Sequence, residues 1–149
     1  MALDLSGFGL RESDIYYALG LYFASNRRDP IRAIPCLEKV LQTAPKHSFA
    51  LFRLMHQYRD RFRKLGDLED LKRAEEKADV LHQIEPTFAN CLECSDIYLY
   101  VEKFDKAAAC YEKALEIREE DYRGYNGLGL VAMDRKEYEI GRASCRERV

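Results

Sequence analysis

The chain has 149 residues, enough for a domain with a buried core. Hydrophobic residues make up 47% and charged residues 34%, with 8 Gly and 4 Pro, which excludes a disordered or fibrous chain. The formal net charge of −2 excludes a global basic field for nucleic acid or membrane, and no apolar run approaches the roughly 18 residues of a membrane span.

The opening stretch, MALDLSGFGLRESD, has neither the charged nor the apolar region of a secretory signal. Five Cys at irregular spacings make no disulfide framework. The expected setting is therefore intracellular and cytoplasmic. From Tyr16 to Phe23 the chain is apolar on nearly every side, and Ser13 is the expected N-cap. Asn26 to Asp29 forms a polar turn. Ile31, Ile34, Leu37, Val40 and Leu41 then recur at helical spacing and stop before Pro45. Pro35 lies inside that run and removes one backbone donor. Either the helix begins late, or Pro30 opens it and it kinks near Pro35; the second is expected.

Ser48 is the expected cap of a helix carrying Leu51, Phe52, Leu54, Met55, Tyr58 and Phe62, which Gly66 ends. Leu68, Leu71, Ala74, Ala78, Leu81 and Ile84 form the next stripe, stopping before Pro86. Two segments follow, Ala89 to Val101 and Phe104 to Ile117. Asp121 caps a last one containing Tyr122, Tyr125, Leu128 and Val131. No segment alternates as a half-buried strand does. Antiparallel helix pairs with short connections are expected throughout.

Self-similarity is the strongest signal. Cys91, Cys94, Ser95 and Phe104 stand to Tyr125, Leu128, Gly129 and Tyr138 at a constant offset of 34 residues. Tyr16, Leu19, Gly20 and Phe23 repeat the small pattern aromatic-x2-Leu-Gly-x2-aromatic. Ala33, Leu37, Val40, Leu41 and Pro45 match the second half, as do Ala107, Tyr111, Ala114 and Leu115. The pattern resembles the tetratricopeptide repeat family, whose signature is W-x2-L-G-x2-Y, then A-x3-F, then a terminal P. The resemblance spans about residues 13 to 140. It implies an all-α fold, a right-handed superhelix of antiparallel helix pairs, because no single pair can bury its apolar face alone. The expected repeats are about 13–46, 47–87, 88–121 and an incomplete 122–139, in a repeat domain spanning 1–139.

Two features depart from the pattern. Pro45 to Pro86 spans 41 residues, seven more than the period, with the surplus between Tyr58 and Ala74. Leu65-Gly66-Asp67 is the expected turn there, so both helices overrun by about a turn. The overrun is a solvated face in the first reading and a docking ledge in the second. The other departure is the tail, residues 140–149, IGRASCRERV. It resembles a translated sequencing adapter, and its slots at 141, 145 and 148 hold Gly, Cys and Arg where the repeat wants small, large apolar and small residues. A non-native tail after about residue 139 is expected, with the second helix of the fourth repeat lost.

Chemistry is sparse. Cys91-x2-Cys94 has no second pair to complete a zinc site and falls on core slots, so packing rather than metal is expected. His47, His56 and His82 have no nucleophile or carboxylate constellation, and no phosphate-binding or hydrolase motif occurs. Gly124 and Gly127 are expected to weaken their helix by about 1 kcal/mol each relative to Ala. No catalytic residue, cofactor or metal is expected.

What remains is the concave groove that the resemblance implies, lined by the first helix of each repeat. Its candidate residues are Tyr17, Leu21, Arg53, His56, Glu93, Asp96, Asn126 and Leu130. One subgroup of the family clamps acidic chaperone tails with Lys, Asn and Arg. Here the aligned positions are Tyr17, Leu21, Arg53, Ala89 and Glu93, or, shifted by one repeat, Phe52, His56, Glu93, Arg123 and Gly127; neither set is a cationic cradle, so no such carboxylate clamp is expected. The expected function is a noncatalytic scaffold holding a peptide or helix of a protein partner, with no membrane partner. One alternative is a recruiting arm of a larger enzyme. The other is RNA binding through the local basic patch of Arg53, Arg59, Arg61, Arg63 and Lys64, which the overall acidity disfavours.

Overall fold

A computed structural model describes residues 9–147, without the side chains at 141, 144, 145 and 147. The tail slots at 141, 145 and 148 lie outside what is described. Seven helices and no strand occur among the described residues. They are α1 Glu12–Ser25, α2 Pro30–Thr43, α3 Ser48–Leu65, α4 Leu68–Ile84, α5 Phe88–Tyr100, α6 Phe104–Ile117 and α7 Tyr122–Glu147. The chain divides into two compact units, residues 1–85 with α1 to α4 and residues 86–149 with α5 to α7.

Local chemistry sets most boundaries. The Asp29 carboxylate accepts from the N–H groups of Ile31 (3.1 Å) and Arg32 (3.3 Å), and Pro30 takes the first helical position, where a missing donor costs nothing. So α2 opens at Pro30 rather than late, and it runs on through Pro35 to Thr43. Two expected caps are corrected. Ser13 lies inside α1, and Arg11 takes the cap position: its N–H donates to the Asp14 carboxylate at 3.1 Å and its carbonyl accepts from the Asp14 N–H at 2.9 Å. Ser48 is the first residue of α3, and the His47 ring Nδ1 caps it by accepting from the Ala50 N–H at 3.1 Å. Gly66 ends α3 at φ 75°, a left-handed conformation that glycine adopts without a Cβ clash.

The turns of α1–α2 and α5–α6 each pass through a left-handed residue. Arg28 (φ 47°) and Glu102 (φ 60°) are left-handed, and the next N–H closes back on the helix, Asp29 to the Phe23 carbonyl (2.9 Å) and Lys103 to the Tyr98 carbonyl (2.8 Å). One period after Glu102, at Lys136, α7 does not turn but continues. Past Tyr138 the tail offers no apolar stripe whose burial would reward folding back, so local helix propensity carries the helix onward.

In the first unit Leu37, Val40, Leu54, Met55, Ala74, Ala78 and Leu81 are fully buried. In the second, Cys91, Cys94, Ile97, Ala107 and Ala114 are. Small residues set the close approaches. A Cβ on Gly20 would stand 2.7 Å from the buried Leu37 side chain, and one on Gly124 would stand 2.6 Å from Leu115. A Cβ on Gly127 would enter the Tyr111 ring. This corrects the view of Gly124 and Gly127 as mere helix weaknesses: packing requires them. Phe104 and Tyr138, one period apart, meet edge to face at 5.8 Å.

The long pair is α3 and α4, with 18 and 17 residues against 14 and 14 in α1 and α2. Its overrun is anchored, not merely solvated. Arg61 grips the buried Asp70 carboxylate through two hydrogen bonds, one of them 2.8 Å from Nε. Lys64 Nζ donates to the Arg28 carbonyl at 2.7 Å, tying the end of α3 to the α1–α2 turn.

Candidate functional site

In the first unit α1 contacts α3 as well as α2. Their shared face carries four of the candidate residues. Tyr17 is half-buried, with its ring 5.0 Å from that of the capping His47. Burial pushes its phenol above the usual value, and the nearby Arg53 guanidinium opposes the shift. Leu21 is half-buried one turn along α1. Arg53 is exposed and lies over the Phe52 ring at 6.0 Å, and the half-buried His56 ring meets that same ring edge-on at 5.0 Å. The helical spacing of 53 and 56 places both on one face of α3.

Arg53 and His56 also line a cleft of about 660 Å³. Its walls are the end of α1 at Ala24 and Ser25, the turn at Arg28, the start of α2 at Pro30, and α3 as far as Lys64. Five cationic side chains border it, Arg28, Arg53, Arg59, Arg63 and Lys64, against a single carboxylate, Asp60. Arg59 binds that carboxylate at 3.2 Å. Tyr17, Leu21 and Arg61 do not line the cleft. The sequence reading set Asp60 among these cations but missed Arg28. Arg28 stands 36 residues from Lys64, and only folding brings the two together.

In the second unit the candidates fall into two groups. Asp96 on α5 is exposed, yet its carboxylate accepts from the Tyr111 hydroxyl at 2.7 Å, which commits it partly to packing. Glu93 is half-buried and adds to the negative field around Tyr111. Burial and these carboxylates push the Tyr111 phenol well above its usual range. Asn126 and Leu130 are exposed on α7, one turn apart.

Cys91 and Cys94 are fully buried, with Cys91 in a cluster of Phe88, Ala114 and Leu92. Burial pushes the Cys91 thiol up, the opposite of what a thiolate ligand or nucleophile needs. Among the described residues no group of three or more His, Cys, Asp or Glu is placed to hold a metal ion. No helix among them is long and apolar enough to cross a membrane.

Comparison with known proteins agrees with the helix pairing. The family model for the tetratricopeptide repeat matches residues 90–121, which span α5 and α6. Several solved structures share the fold. MamA is similar at a TM-score of 0.70 and 19% identity, over 86% of this chain and 66% of that one, so this chain spans just under two thirds of MamA. The first TPR of Spaghetti (RPAP3), solved bound to the HSP90 peptide SRMEEVD, is similar at a TM-score of 0.66 and 16% identity, over 82% and 91%. The Sgt2 TPR domain from Aspergillus fumigatus is similar at a TM-score of 0.66 and 18% identity, over 89% and 83%. No curated protein sequence matches the chain. The fold is thus the all-α fold of tetratricopeptide-repeat domains.

Proposed function

We propose that this chain is a noncatalytic interaction module that holds an extended peptide or a helix against the exposed faces of its odd-numbered helices. In the first unit the contact residues are Tyr17, Leu21, Arg53 and His56. In the second they are Glu93, Asp96, Asn126 and Leu130. The observation that carries the reading is the face of α1 and α3. Half-buried rings there stand beside an exposed guanidinium at the rim of an open cleft, the mix of apolar anchor and polar selector that peptide recognition uses. The peptide complex of Spaghetti supports a peptide ligand for this fold. The acidic-tail clamp is not part of the proposal, since its aligned positions here are Tyr17, Leu21, Arg53, Ala89 and Glu93.

The proposed module spans 1–139 in an intracellular setting, with 140–149 as a non-native tail; a genuine GRASCRERV at the source locus would refute the tail's origin. The functional test is selection of random twelve-residue peptides displayed on phage, with the whole chain as bait. Enriched peptides are expected to bind at least about tenfold more weakly to Tyr17→Ala or Leu21→Ala. No enrichment, or enriched peptides indifferent to both substitutions and to Leu130→Ala, would refute the proposal.

A further inference from the structure

The overrun of α3 builds a binding site. α3 is four residues longer than α1, and its last turns carry Arg59, Arg63 and Lys64 to the cleft beside the α1–α2 turn. We propose that this cleft binds an acidic peptide segment through its side-chain carboxylates, a partner chemistry that rests on the interaction-module reading above.

Charge is the first argument. The cleft gathers five cations and one carboxylate on a chain whose net charge is −2. The carboxylate is already held by Arg59. Lys64 donates to a neutral carbonyl, which leaves its charge uncompensated. Arg28, Arg53 and Arg63 make no ion pair among the described residues and are all exposed. Like charges at such density repel one another, and an anion that enters relieves the repulsion. Four of the five cations are arginines, whose planar forks take carboxylates two bonds at a time.

Shape is the second. A cleft of about 660 Å³ with small walls at Ala24, Ser25 and Pro30 has room for a short stretch of peptide, not for a folded domain. The turn is held in place, because the Lys64 bond fixes the Arg28 carbonyl and the next N–H, of Asp29, closes back on the Phe23 carbonyl. RNA is disfavoured by the lining. Single-stranded RNA wants exposed rings on which bases stack, and the only ring here, His56, is half-buried against Phe52. The site is separate from the clamp positions discussed above, sharing only Arg53 of one register and His56 of the other. It reads side chains within a segment rather than a chain terminus.

The test uses the whole chain and a fluorescent hexaglutamate, blocked at both ends so that no terminal carboxylate is present. Fluorescence anisotropy at low salt is expected to show binding that hexaglutamine lacks and that weakens at least tenfold between 50 and 500 mM salt, on the order expected for several charge contacts. Arg63→Glu is expected to weaken it at least about tenfold, and Arg53→Glu similarly. Both side chains are exposed, and an unchanged circular dichroism spectrum establishes that each variant folds. No binding of hexaglutamate, equal binding of hexaglutamine, or indifference to Arg63→Glu overturns the proposal. So does oligouridine binding tighter than hexaglutamate. If the phage selection yields peptides sensitive to Tyr17→Ala while hexaglutamate fails, the cleft proposal falls and the module stands. If both fail, both fall.

Discussion

Arg61→Ala tests what holds the overrun of α3 and α4 together. Asp70 is 1% exposed, and its carboxylate takes two hydrogen bonds from Arg61. Removing the guanidinium strands a buried charge, which costs about 3–5 kcal/mol. Two features place this site at the low end. The Arg61 side chain is 21% exposed, so water already reaches one edge of the pair. Asp70 sits in the first turn of α4, whose N–H dipoles offset part of the loss, about 0.3–1 kcal/mol. Loss of the guanidinium from the Tyr58 ring, 5.4 Å away, adds about 0.5–1 kcal/mol. The expected loss is about 3 kcal/mol at pH 7, seen in urea unfolding as a lower midpoint at unchanged slope. The double variant Arg61→Met with Asp70→Leu should recover most of it. A loss under about 0.5 kcal/mol, or a double variant no more stable than Arg61→Ala, would refute this account.

Two glycines of α7 should respond to alanine with opposite signs. Gly127→Ala drives a methyl into the Tyr111 ring, which its hydroxyl bond to Asp96 holds in place, and should cost about 1–3 kcal/mol despite the gain in helix propensity. Gly129 faces open space, so Gly129→Ala should stabilise by up to about 1 kcal/mol; thermal unfolding of both variants decides, and matching signs would contradict the packing. Burial and a carboxylate partner raise the phenols of Tyr58 and Tyr111 above their ordinary value near 10. The unfolded chain therefore loses these protons first, stability holds below pH 10 and falls above it, and an ultraviolet titration should show both ionising only on unfolding. Asp121 caps α7 and pairs with Arg123, which lowers its pKa to about 2. Its contribution is present above the unfolded pKa of about 4 and lost as pH falls toward 2, so a carboxyl carbon titration by NMR with a midpoint near 4 would count against the pair.

The helix pairing was legible in the sequence because it rests on local signals. Ala33, Leu37 and Val40 mark a helical stripe, Pro30 and Gly66 punctuate it, and the offset of 34 relates one pair to the next. Even the overrun of α3 and α4 was countable, from the spacing of Pro45 and Pro86. Two caps were misplaced by one or two residues, since His47 and Arg11 are unusual capping residues and a Ser stood close by in each case. Candidate side chains on one helix, such as Arg53 and His56, could be grouped by spacing alone.

What the sequence could not show is how pieces distant along the chain meet. The basic patch looked like a solvated helix face because its charges alternate with Asp60 and are followed by Asp67, Glu69 and Asp70. Folding sorts those charges: Asp70 is buried under Arg61, Asp67 caps α4, and the arginines of α3 are left facing Arg28 from another turn. Periodicity therefore determined which residues form helices and which faces are apolar. Only tertiary packing decided that Gly127 makes room for Tyr111 and that Arg28 and the arginines of α3 border one cleft. The reason is range: helix propensity and burial pattern act over a few residues, whereas a cleft exists only where separate helices come together.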